Sequence, residues 1–427
     1  SRLPLIACRG RAAGRTWGRA RVDAMGGGAS SKKAWQRGFH LTSNVEDDVG
    51  DSYVQVYPVW TIAITRNQRQ LASATSDNRI NLWCLVTQQL LIPLVGHADT
   101  IWKLSYSPDD LLLASASSDG TVRLWEVGTG MPVMTLPRNH ANWVLSLAWS
   151  PDGRRFATGG SDARILIWDA AEAVEAAARV ADVAAQAQEA GDYEQAFFEE
   201  LAAEEQARAD QAKRPLVYWQ AHEKSIHDLC FAPSESKQLV SVGAEGTIAV
   251  WDAESGMLDC RLMGHIGAVN CCAVSPSNEE LLATGGEDHT VRLWDLGDVD
   301  PGSNAAKTSR EKAIGLNLAH FTLKGHEGGV AAVRFCGDGR LLASASKDCE
   351  VRIWLPNLQS PSLLAKFGAH EAWVRDLHWS SDQKSIYTAA TDGMIYSWEV
   401  PKKWHASPWQ LEKALKGPSR YKAADQH

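Results

Sequence analysis

The sequence of 427 residues has little phenylalanine and tyrosine, eight of each, although it holds 18 tryptophans. No uncharged apolar run approaches the roughly 18 residues that a membrane-spanning helix needs, so no transmembrane segment is predicted. Basic residues are not in surplus, since 43 Lys and Arg face 51 Asp and Glu, which argues against a dedicated nucleic-acid-binding protein. The eight cysteines show no CxxC spacing. This favours free, mostly buried thiols in a reducing, cytoplasmic compartment over a disulfide framework.

Motifs for metal, phosphate and cofactor chemistry are also missing. The sequence has no HExxH motif, no Cys/His cluster and no carboxylate array with ligand spacing, so no metal site is predicted. It has no GxxxxGK[ST] loop, and Gly26-Gly27-Gly28 lies in a polar arm that follows no strand. We therefore expect neither a cofactor nor a small-molecule substrate.

The charge is distributed in blocks along the chain. Residues 1–40 hold nine basic residues and one acid, whereas residues 169–215 hold twelve acids and four basic residues. The sequence thus predicts a basic N-terminal arm over residues 1–36, an acidic insert, and a basic C-terminal tail over residues 401–427. Blocks of one sign steer encounters with partners but do not determine the fold.

An internal repeat accounts for seven of the tryptophans. Each copy ends in a Trp, with an acid six residues earlier and a Ser or Thr four residues before that acid. Six copies also place a His 22 or 23 residues before the acid. The matching positions are His97, Ser115, Asp119 and Trp125; His140, Thr158, Asp162 and Trp168; His222, Ser241, Glu245 and Trp251; His265, Thr284, Asp288 and Trp294; His326, Ser344, Asp348 and Trp354; His370, Thr388, Asp392 and Trp398; and, without the His, Ser73, Asp77 and Trp83.

The pattern within each copy is that of β-structure. Residues 122–125 alternate apolar with polar side chains, as half-buried strands do. Asp119-Gly120 and Pro151-Asp152-Gly153 are turn sequences, in which Gly supplies a positive φ. Each copy therefore predicts four short antiparallel strands in about 40 residues, and such sheets must stack on one another to bury their faces.

These repeats resemble the WD-repeat β-propeller family over residues 45–400, through Gly-His pairs such as Gly96-His97 and Trp-Asp pairs such as Trp168-Asp169. The resemblance implies an all-β, seven-bladed propeller over residues 37–400, with a helical insertion in blade 3. It also implies that segment 37–55 supplies the outer strand of blade 7.

In that family the His, the Ser or Thr, the acid and the Trp form a hydrogen-bonded tetrad inside each blade. We interpret the repeated residues as such structural tetrads and not as catalytic triads, because a catalytic site is needed once. Blade 1 has Gln55 in place of the His and blade 4 has Glu245 in place of Asp. We expect those two tetrads to be weaker.

Two blades contain extra residues between the Trp strand and the next His. Both inserts, 169–215 and 297–317, are expected on the face opposite the Gly-His loops. The first is rich in Ala and Glu and predicts a helical hairpin interrupted at Gly191-Asp192, whereas the second is polar and predicts a loop. An apolar stripe on the second helical arm either packs against the first arm or the propeller wall, or binds a partner protein; it consists of Tyr193, Phe197, Phe198 and Leu201.

The Gly-His face carries candidate protein-binding residues around the mouth of the central channel. Trp and Arg are enriched at binding hot spots, although some of these Trp side chains could instead be buried between blades. The residues one position past the start of each inner strand are Trp60, Trp102, Leu145, His227, Asn270, Ala331 and Arg375, and two of these strands are preceded by Trp143 and Trp373.

The N-terminal arm carries two incompatible signals. Residues 1–24 hold six Arg and one acid, which resembles a mitochondrial or plastid presequence. Met25-Gly26-Gly-Gly-Ala-Ser30 fits an N-myristoylation site at Gly26, and that modification requires initiation at Met25. We favour the start at Met25, and a disordered arm without either role is the third interpretation.

The sequence as a whole predicts a non-catalytic scaffold or adaptor that binds other proteins within a multisubunit assembly, with a cytoskeletal or ciliary assembly among the candidates. One alternative is a signalling adaptor held at a membrane by a myristoyl group on Gly26. Another is an organellar WD-repeat assembly factor. An enzyme with its site in the central channel is disfavoured, because no convergent constellation of reactive residues is present.

Overall fold

The computed structural model describes residues 37–42, 57–136, 138–190, 214–233, 237–296, 319–401 and 404. This part of the chain contains seven antiparallel sheets of four strands each and one α-helix. The sheets are arranged around a central channel, which confirms the predicted all-β, seven-bladed propeller.

The blades are numbered along the chain, and their strands are given from the channel outwards. Blade 1 contains β2 (Val59–Ile64), β3 (Gln70–Thr75), β4 (Arg79–Cys84) and β5 (Gln89–Val95). Blade 2 contains β6 (Ile101–Tyr106), β7 (Leu112–Ser117), β8 (Val122–Glu126) and β9 (Pro132–Leu136). Blade 3 contains β10 (Val144–Trp149), β11 (Arg155–Gly160), β12 (Arg164–Asp169) and β13 (Val217–Gln220). Blade 4 contains β14 (Ile226–Phe231), β15 (Gln238–Gly243), β16 (Thr247–Asp252) and β17 (Leu258–Met263).

The remaining three blades follow the same order. Blade 5 contains β18 (Val269–Val274), β19 (Leu281–Gly286), β20 (Val291–Asp295) and β21 (Phe321–Leu323). Blade 6 contains β22 (Val330–Phe335), β23 (Leu342–Ser346), β24 (Glu350–Leu355) and β25 (Ser362–Gly368). Blade 7 contains β26 (Val374–Trp379), β27 (Ser385–Ala390), β28 (Met394–Glu399) and, outermost, β1 (Arg37–Thr42).

Short turns with side-chain hydrogen bonds set the length of the inner hairpins. The Ser107 hydroxyl donates to Asp109 at 2.5 Å, and Ser150 donates to Asp152 in the same way. Gly153 closes its turn with φ of 71°, a conformation that costs Gly little. These bonds satisfy the polar groups where the chain reverses and so fix the turn end of both hairpins.

The core consists of seven apolar clusters within the described residues, and each cluster fills the space between two adjacent blades. The closing Trp of each blade lies in the cluster shared with the preceding blade; Trp125, for example, packs with blade 1 residues such as Leu82. Burying roughly 200 Å² of indole contributes about 5 kcal/mol of gross hydrophobic free energy. The repeated Trp therefore connects each blade to the preceding one.

The ring is closed by residues from both sides of the repeat region. Strand β1 pairs antiparallel with β28, with Thr42 opposite Met394, so segment 37–55 supplies the outer strand of blade 7 as expected. At the other end the packing continues beyond residue 400, the predicted limit of the propeller, because Trp404 is buried in the cluster between blades 6 and 7. Pairing the first and last strands protects a sheet edge that would otherwise be open.

The acidic insert begins with a helix that belongs to the core. Helix α1 (Ala171–Ala190) starts two residues after β12 ends at Asp169, so the strand includes the first residue of the predicted insert. Ala173, Ala177 and Val180 are buried, and the two Ala pack on the cluster between blades 2 and 3. The predicted interruption at Gly191-Asp192 lies outside the described residues. The predicted second arm and insert 297–317 lie outside the described residues.

Candidate functional site

The channel mouth on the Gly-His face is lined by the second residue of each inner strand. All seven of these residues are partly exposed, and each stands one position past the first residue of its strand, as predicted from the sequence. In order around the ring they are Trp60, Trp102, Leu145, His227, Asn270, Ala331 and Arg375. The structure thus brings these predicted binding residues together at one opening, although their chemical environments differ.

Blades 7, 1 and 2 form an aromatic and cationic side of the mouth. The rings of Trp60 and Trp102 lie 5.3 Å apart between centroids, and the Cζ atom of Arg375 lies 5.0 Å from the first ring and 6.0 Å from the second. The indole N–H of Trp102 donates to the Ser118 hydroxyl at 2.6 Å. The indole N–H of Trp60 is buried and has no hydrogen-bond partner among the described residues. These three side chains are called the Trp60–Trp102–Arg375 cluster below.

Blades 4, 5 and 6 form a polar side whose residues are bonded within the propeller. Nδ1 of His227 is 3.1 Å from the carbonyl oxygen of Val269, the first residue of the next inner strand. The side-chain amide of Asn270 donates in the same manner to the carbonyl of Val330 at 3.0 Å. Burial also lowers the pKa of His227, which favours its neutral form. These two predicted binding residues therefore connect neighbouring blades in the structure.

The two tryptophans that precede inner strands are the most exposed aromatic residues of the mouth. Trp143 is 49% exposed and Trp373 is 51% exposed, so neither is buried between blades. Nζ of Lys347 lies 5.5 Å above the Trp373 ring and is also 2.7 Å from a carboxylate oxygen of Glu287. Exposed indoles beside a partly buried Arg provide apolar area together with charge, the combination that is frequent at binding hot spots.

Below the mouth, charged side chains from several blades meet inside the channel. Nζ of Lys103 in blade 2 is 2.7 Å from Asp228 in blade 4, and Arg334 in blade 6 lies 3.8 Å from both Asp228 and Asp376. Asp376 in blade 7 also accepts a hydrogen bond from the Thr61 hydroxyl at 2.8 Å. Both acids are nearly inaccessible to solvent, so this network connects blades 1, 2, 4, 6 and 7 through buried ion pairs.

This channel network was not predicted from the sequence. A signal for it was available, because Lys103, Asp228, Arg334 and Asp376 interrupt inner strands that are otherwise largely apolar. Charged residues are rarely buried unless they are paired. The sequence alone could not pair them, since Lys103 and Arg334 both reach Asp228 from blades that are not adjacent to blade 4.

The repeated His, Ser or Thr, acid and Trp residues lie inside the blades and contact one another there. In the five blades with both His and Asp, His Nδ1 is 2.8–3.0 Å from the nearest carboxylate oxygen. In all six His-containing blades, His Nε2 is 2.7–3.0 Å from the hydroxyl. The Trp indole N–H donates to the same hydroxyl at 2.8–3.0 Å in all seven blades.

The hydrogen-bond chemistry of the tetrads requires a neutral imidazole. The carboxylate accepts the proton on Nδ1, so Nε2 is free to accept the hydroxyl proton, and the hydroxyl oxygen accepts from the indole. Burial lowers the pKa of His97 and of His265, which keeps both neutral. Burial alone would raise the pKa of Asp119, but hydrogen bonds from His97 and Thr121 outweigh it and hold that pKa well below its usual range.

The tetrads cannot act as nucleophilic sites in this conformation. Ser115 and the equivalent hydroxyl residues of the other His-containing blades have no exposed surface, so a substrate carbonyl cannot approach the oxygen. Their hydrogen bonds resemble those of a Ser-His-Asp triad, yet the Trp indole occupies the position next to the hydroxyl. The geometry supports a role in holding strands together.

Two blades depart from the common tetrad. In blade 1 the Trp83–Ser73 hydrogen bond is present, whereas Gln55 lies outside the described residues. In blade 4 Glu245 contacts His222 through Oε1, while its Oε2 is buried without a hydrogen-bond partner in the described part of the chain. Burial would raise the pKa of Glu245, but hydrogen bonds from His222 and Thr247 outweigh it and lower that pKa to about 2.

Several predicted functional residues lie outside the described part of the chain: the lipidation candidate Gly26 and the apolar stripe Tyr193, Phe197, Phe198 and Leu201. Within the described ranges, no helix is both long and apolar enough to cross a membrane. The same ranges contain no group of three or more His, Cys, Asp or Glu residues that could hold a metal ion.

Comparison with known proteins relates the chain to proteins of several functions. It is 32% identical to the nuclear distribution protein PAC1 of Arthroderma benhamiae over 190 residues, which cover 42% of this chain and 37% of that protein. It is 29% identical to the target of rapamycin complex subunit wat1 of Schizosaccharomyces pombe over 170 residues, 40% of this chain and 48% of that protein. A subunit of chromatin assembly factor 1 from Mus musculus is 29% identical over 191 residues, 42% of this chain and 32% of that protein. The matched region spans less than half the length of each relative.

A protein-family model matches most of the propeller. The family described as WD domain, G-beta repeat matches seven segments: 53–84, 88–126, 130–169, 213–252, 257–295, 319–354 and 361–399. Each segment ends with the closing Trp of one blade or shortly after it, so the family repeat and the structural blade are offset by one strand. The chain therefore belongs to the WD-repeat family of β-propellers.

Proposed function

We propose that this protein is a non-catalytic scaffold component of a multiprotein assembly and that it binds a partner protein at the channel mouth. The observation that carries the proposal is the exposure of Trp143 and Trp373 on the face where the Trp60–Trp102–Arg375 cluster lines the channel mouth. Indole surface that stays accessible on a rigid ring can be buried by a partner with little loss of conformational entropy. The names of two relatives, which call them subunits, support an assembly role.

The arrangement of the blades supports a scaffold with a fixed geometry. The Trp60–Trp102–Arg375 cluster stands on inner strands that are hydrogen-bonded on one side and packed against neighbouring blades on the other, and Trp143 and Trp373 each directly precede such a strand. Binding residues on such elements are more precisely placed than residues on long loops. Insert 169–215 leaves from the opposite face, so a second partner could bind there at the same time.

The proposal is tested by affinity purification of the tagged full chain from cells that naturally produce the protein, followed by quantitative mass spectrometry. The double substitution Trp143→Ala, Trp373→Ala removes exposed indole from the mouth. We expect the recovered amount of at least one stoichiometric partner to fall about tenfold or more. Tyr218→Ala is the matched control, because Tyr218 is 66% exposed but lies on the outer strand of blade 3. An unchanged partner set in the double variant, or no stoichiometric partner of the wild-type chain, contradicts the proposal.

The finer alternatives raised by the sequence remain proposals. Membership of a cytoskeletal or ciliary assembly would follow from the identity of the captured partners. Attachment to a membrane depends on Gly26 and would follow from the intact mass of the purified protein, since a myristoylated chain begins at Gly26 and is heavier by one acyl group. A terminal peptide that begins at Ser1 would exclude that modification.

A further inference from the structure

Arg375 is a cation at the channel mouth that has no acid paired with it in the described part of the chain. Among these residues, neither a carboxylate nor a carbonyl group forms an ion pair or hydrogen bond with its guanidinium. Its charge interacts with Asp376 and Glu287, yet both acids are already engaged. Asp376 accepts from the Thr61 hydroxyl and faces Arg334, and Glu287 pairs with Lys347.

The aromatic neighbours of Arg375 do not replace an acid. Contacts with the faces of Trp60 and Trp102 stabilise the cation through the ring quadrupoles, but they provide no acceptor for the guanidinium N–H groups. Burial lowers the pKa of Arg375 from its ordinary value, although Asp376 and Glu287 act in the opposite direction. A charge that is partly removed from water favours a counter-ion.

A second unsatisfied donor stands in the same cluster. The indole N–H of Trp60 is buried and has no partner among the described residues, whereas the indole N–H of Trp102 is bonded to Ser118. Buried indole N–H groups normally have an acceptor, so an exception calls for an explanation. Because this N–H is enclosed, the donors that a ligand at the mouth can reach are those of Arg375, which is partly exposed.

We propose that Arg375, stacked against the rings of Trp60 and Trp102, is a receptor for the side-chain carboxylate of an Asp or Glu in a partner protein. Apolar residues next to that acid would then lie against the exposed indoles of Trp373 and Trp143. This inference rests on the proposed function, and it specifies what the mouth recognises.

A carboxylate fits the charge of the mouth better than a phosphate does. Arg375 is the cation without an acid partner in the cluster, and the neighbouring Lys347 is neutralised by Glu287. Phosphate groups are usually bound by several cations, whereas one guanidinium matches one carboxylate. The acidic insert of this chain is an unsuitable occupant, because β12 begins at the Gly-His face and carries the chain to the opposite one.

The test uses the full chain and a library of random peptides, each about 12 residues long, displayed on phage. Peptides selected on the wild-type protein should be enriched in an Asp or Glu next to an aromatic or aliphatic residue. One selected peptide is then synthesised with a fluorescent label and an amidated C-terminus, and its affinity is measured by anisotropy. We expect Arg375→Gln to weaken binding about 10- to 100-fold, as the loss of a hydrogen bond between charged groups predicts.

A double-mutant cycle distinguishes direct recognition from a change in folding. Replacing the peptide acid by Gln or Asn should weaken binding to the wild-type chain as much as Arg375→Gln does, and the two changes together should cost little more than either alone. Arg138→Gln is the matched control, because Arg138 is exposed on the same face in the loop that leads into blade 3. All variants should keep the thermal unfolding midpoint of the wild-type protein.

Several outcomes would overturn the proposal. They are selected peptides without acids, no selected peptides, equal affinity for the Arg375→Gln variant, or tighter binding of a phosphoserine version of the peptide. Peptides that bind Arg375→Gln normally but fail to bind the Trp143→Ala, Trp373→Ala protein would overturn this assignment and leave the proposed function intact. Dimerisation of the chain through the mouth, seen by light scattering and lost in Arg375→Gln, would replace a partner protein by a second copy and so contradict the proposal.

Discussion

The central hydroxyl of each tetrad satisfies two other buried groups with one oxygen atom. Ser115 accepts the indole N–H of Trp125 and donates to Nε2 of His97. In blade 1, Ser73 accepts the indole N–H of Trp83, and no His is bonded to it among the described residues. Among the described residues, the same substitution therefore leaves two polar groups unsatisfied in blade 2 and one in blade 1.

This difference gives a prediction with an internal control. Ser115→Ala should lower the free energy of unfolding by about 2–4 kcal/mol, because the Trp125 N–H and His97 Nε2 both lose their partner. Ser73→Ala should cost about 1–2 kcal/mol for one unsatisfied indole. Urea unfolding followed by tryptophan fluorescence measures both values. Equal losses in the two variants would show that the His contributes nothing to the tetrad.

Glu245 gives a prediction in the stabilising direction. Its Oε2 atom is buried without a partner among the described residues, whereas Asp119 in blade 2 also accepts the backbone N–H that follows its His. Glu245→Asp should allow the same bond from Glu223 and raise the free energy of unfolding by about 1 kcal/mol. The reverse change, Asp288→Glu in blade 5, should destabilise the protein by a similar amount. A less stable Glu245→Asp variant would refute this account of blade 4.

At the scale of elements, helix α1 packs against the propeller and belongs to its core. Its buried face is formed by Ala173, Ala177 and Val180, which are spaced at i, i+4 and i+7. Two of the three residues are Ala, so the helix can approach the cluster between blades 2 and 3 closely. Deleting the whole insert to test partner binding would therefore also uncover part of this core.

Single substitutions compare the contributions of the buried and exposed faces of α1 to stability. Ala177→Glu buries a charge and overpacks the contact, so we expect a loss of about 3 kcal/mol or more in stability. Ala178→Glu changes an exposed position of the same helix and should be neutral within about 0.5 kcal/mol. Thermal unfolding measures both. Similar behaviour of the two variants would mean that α1 does not pack on the propeller in solution.

At the scale of the whole molecule, buried titratable groups predict a loss of stability in acid. The pKa values of His97, His265 and His378 are lowered by burial, to about 4 for His378, so the unfolded chain binds protons that the folded chain does not. Stability should be nearly constant between about pH 7 and about pH 8 and fall as the pH drops below about 6.5. Below about pH 4 the depressed carboxylates, among them Asp119 and Asp348, should steepen the decline.

The contribution of one group can be isolated in the same measurement. A lowering of the pKa of His378 from 6.5 to about 4 corresponds to about 3 kcal/mol lost between those pH values. His378→Gln should flatten the pH dependence in that interval, because Gln does not titrate beside Asp376, Arg334 and Lys103. Urea midpoints from about pH 8 to about pH 4 test this. A midpoint that stays constant or rises on acidification would contradict the prediction.

The sequence predicted the features that recur in every blade, but it did not predict the contacts that join particular blades. Tetrad residues such as His326 and Ser344 keep fixed spacings, because their contacts repeat with the blade. The pairing of Lys103 with Asp228 joins blades 2 and 4 across the channel and has no repeated spacing. Likewise the residue type of His227 suggested a binding role, whereas its bond to the Val269 carbonyl depends on how adjacent blades are positioned.

The pairing of β1 with β28 also determines when the protein can finish folding. Thr42 leaves the ribosome about 350 residues before its partner Met394. At a synthesis rate of about 5–20 residues per second, β1 remains without its neighbouring strand for roughly 20–70 seconds, while the six preceding blades can already form. A growing chain therefore holds a nearly complete ring that is still open. The last blade to be synthesised is also the one that needs the first strand, so the ring can close only after β28 has been made.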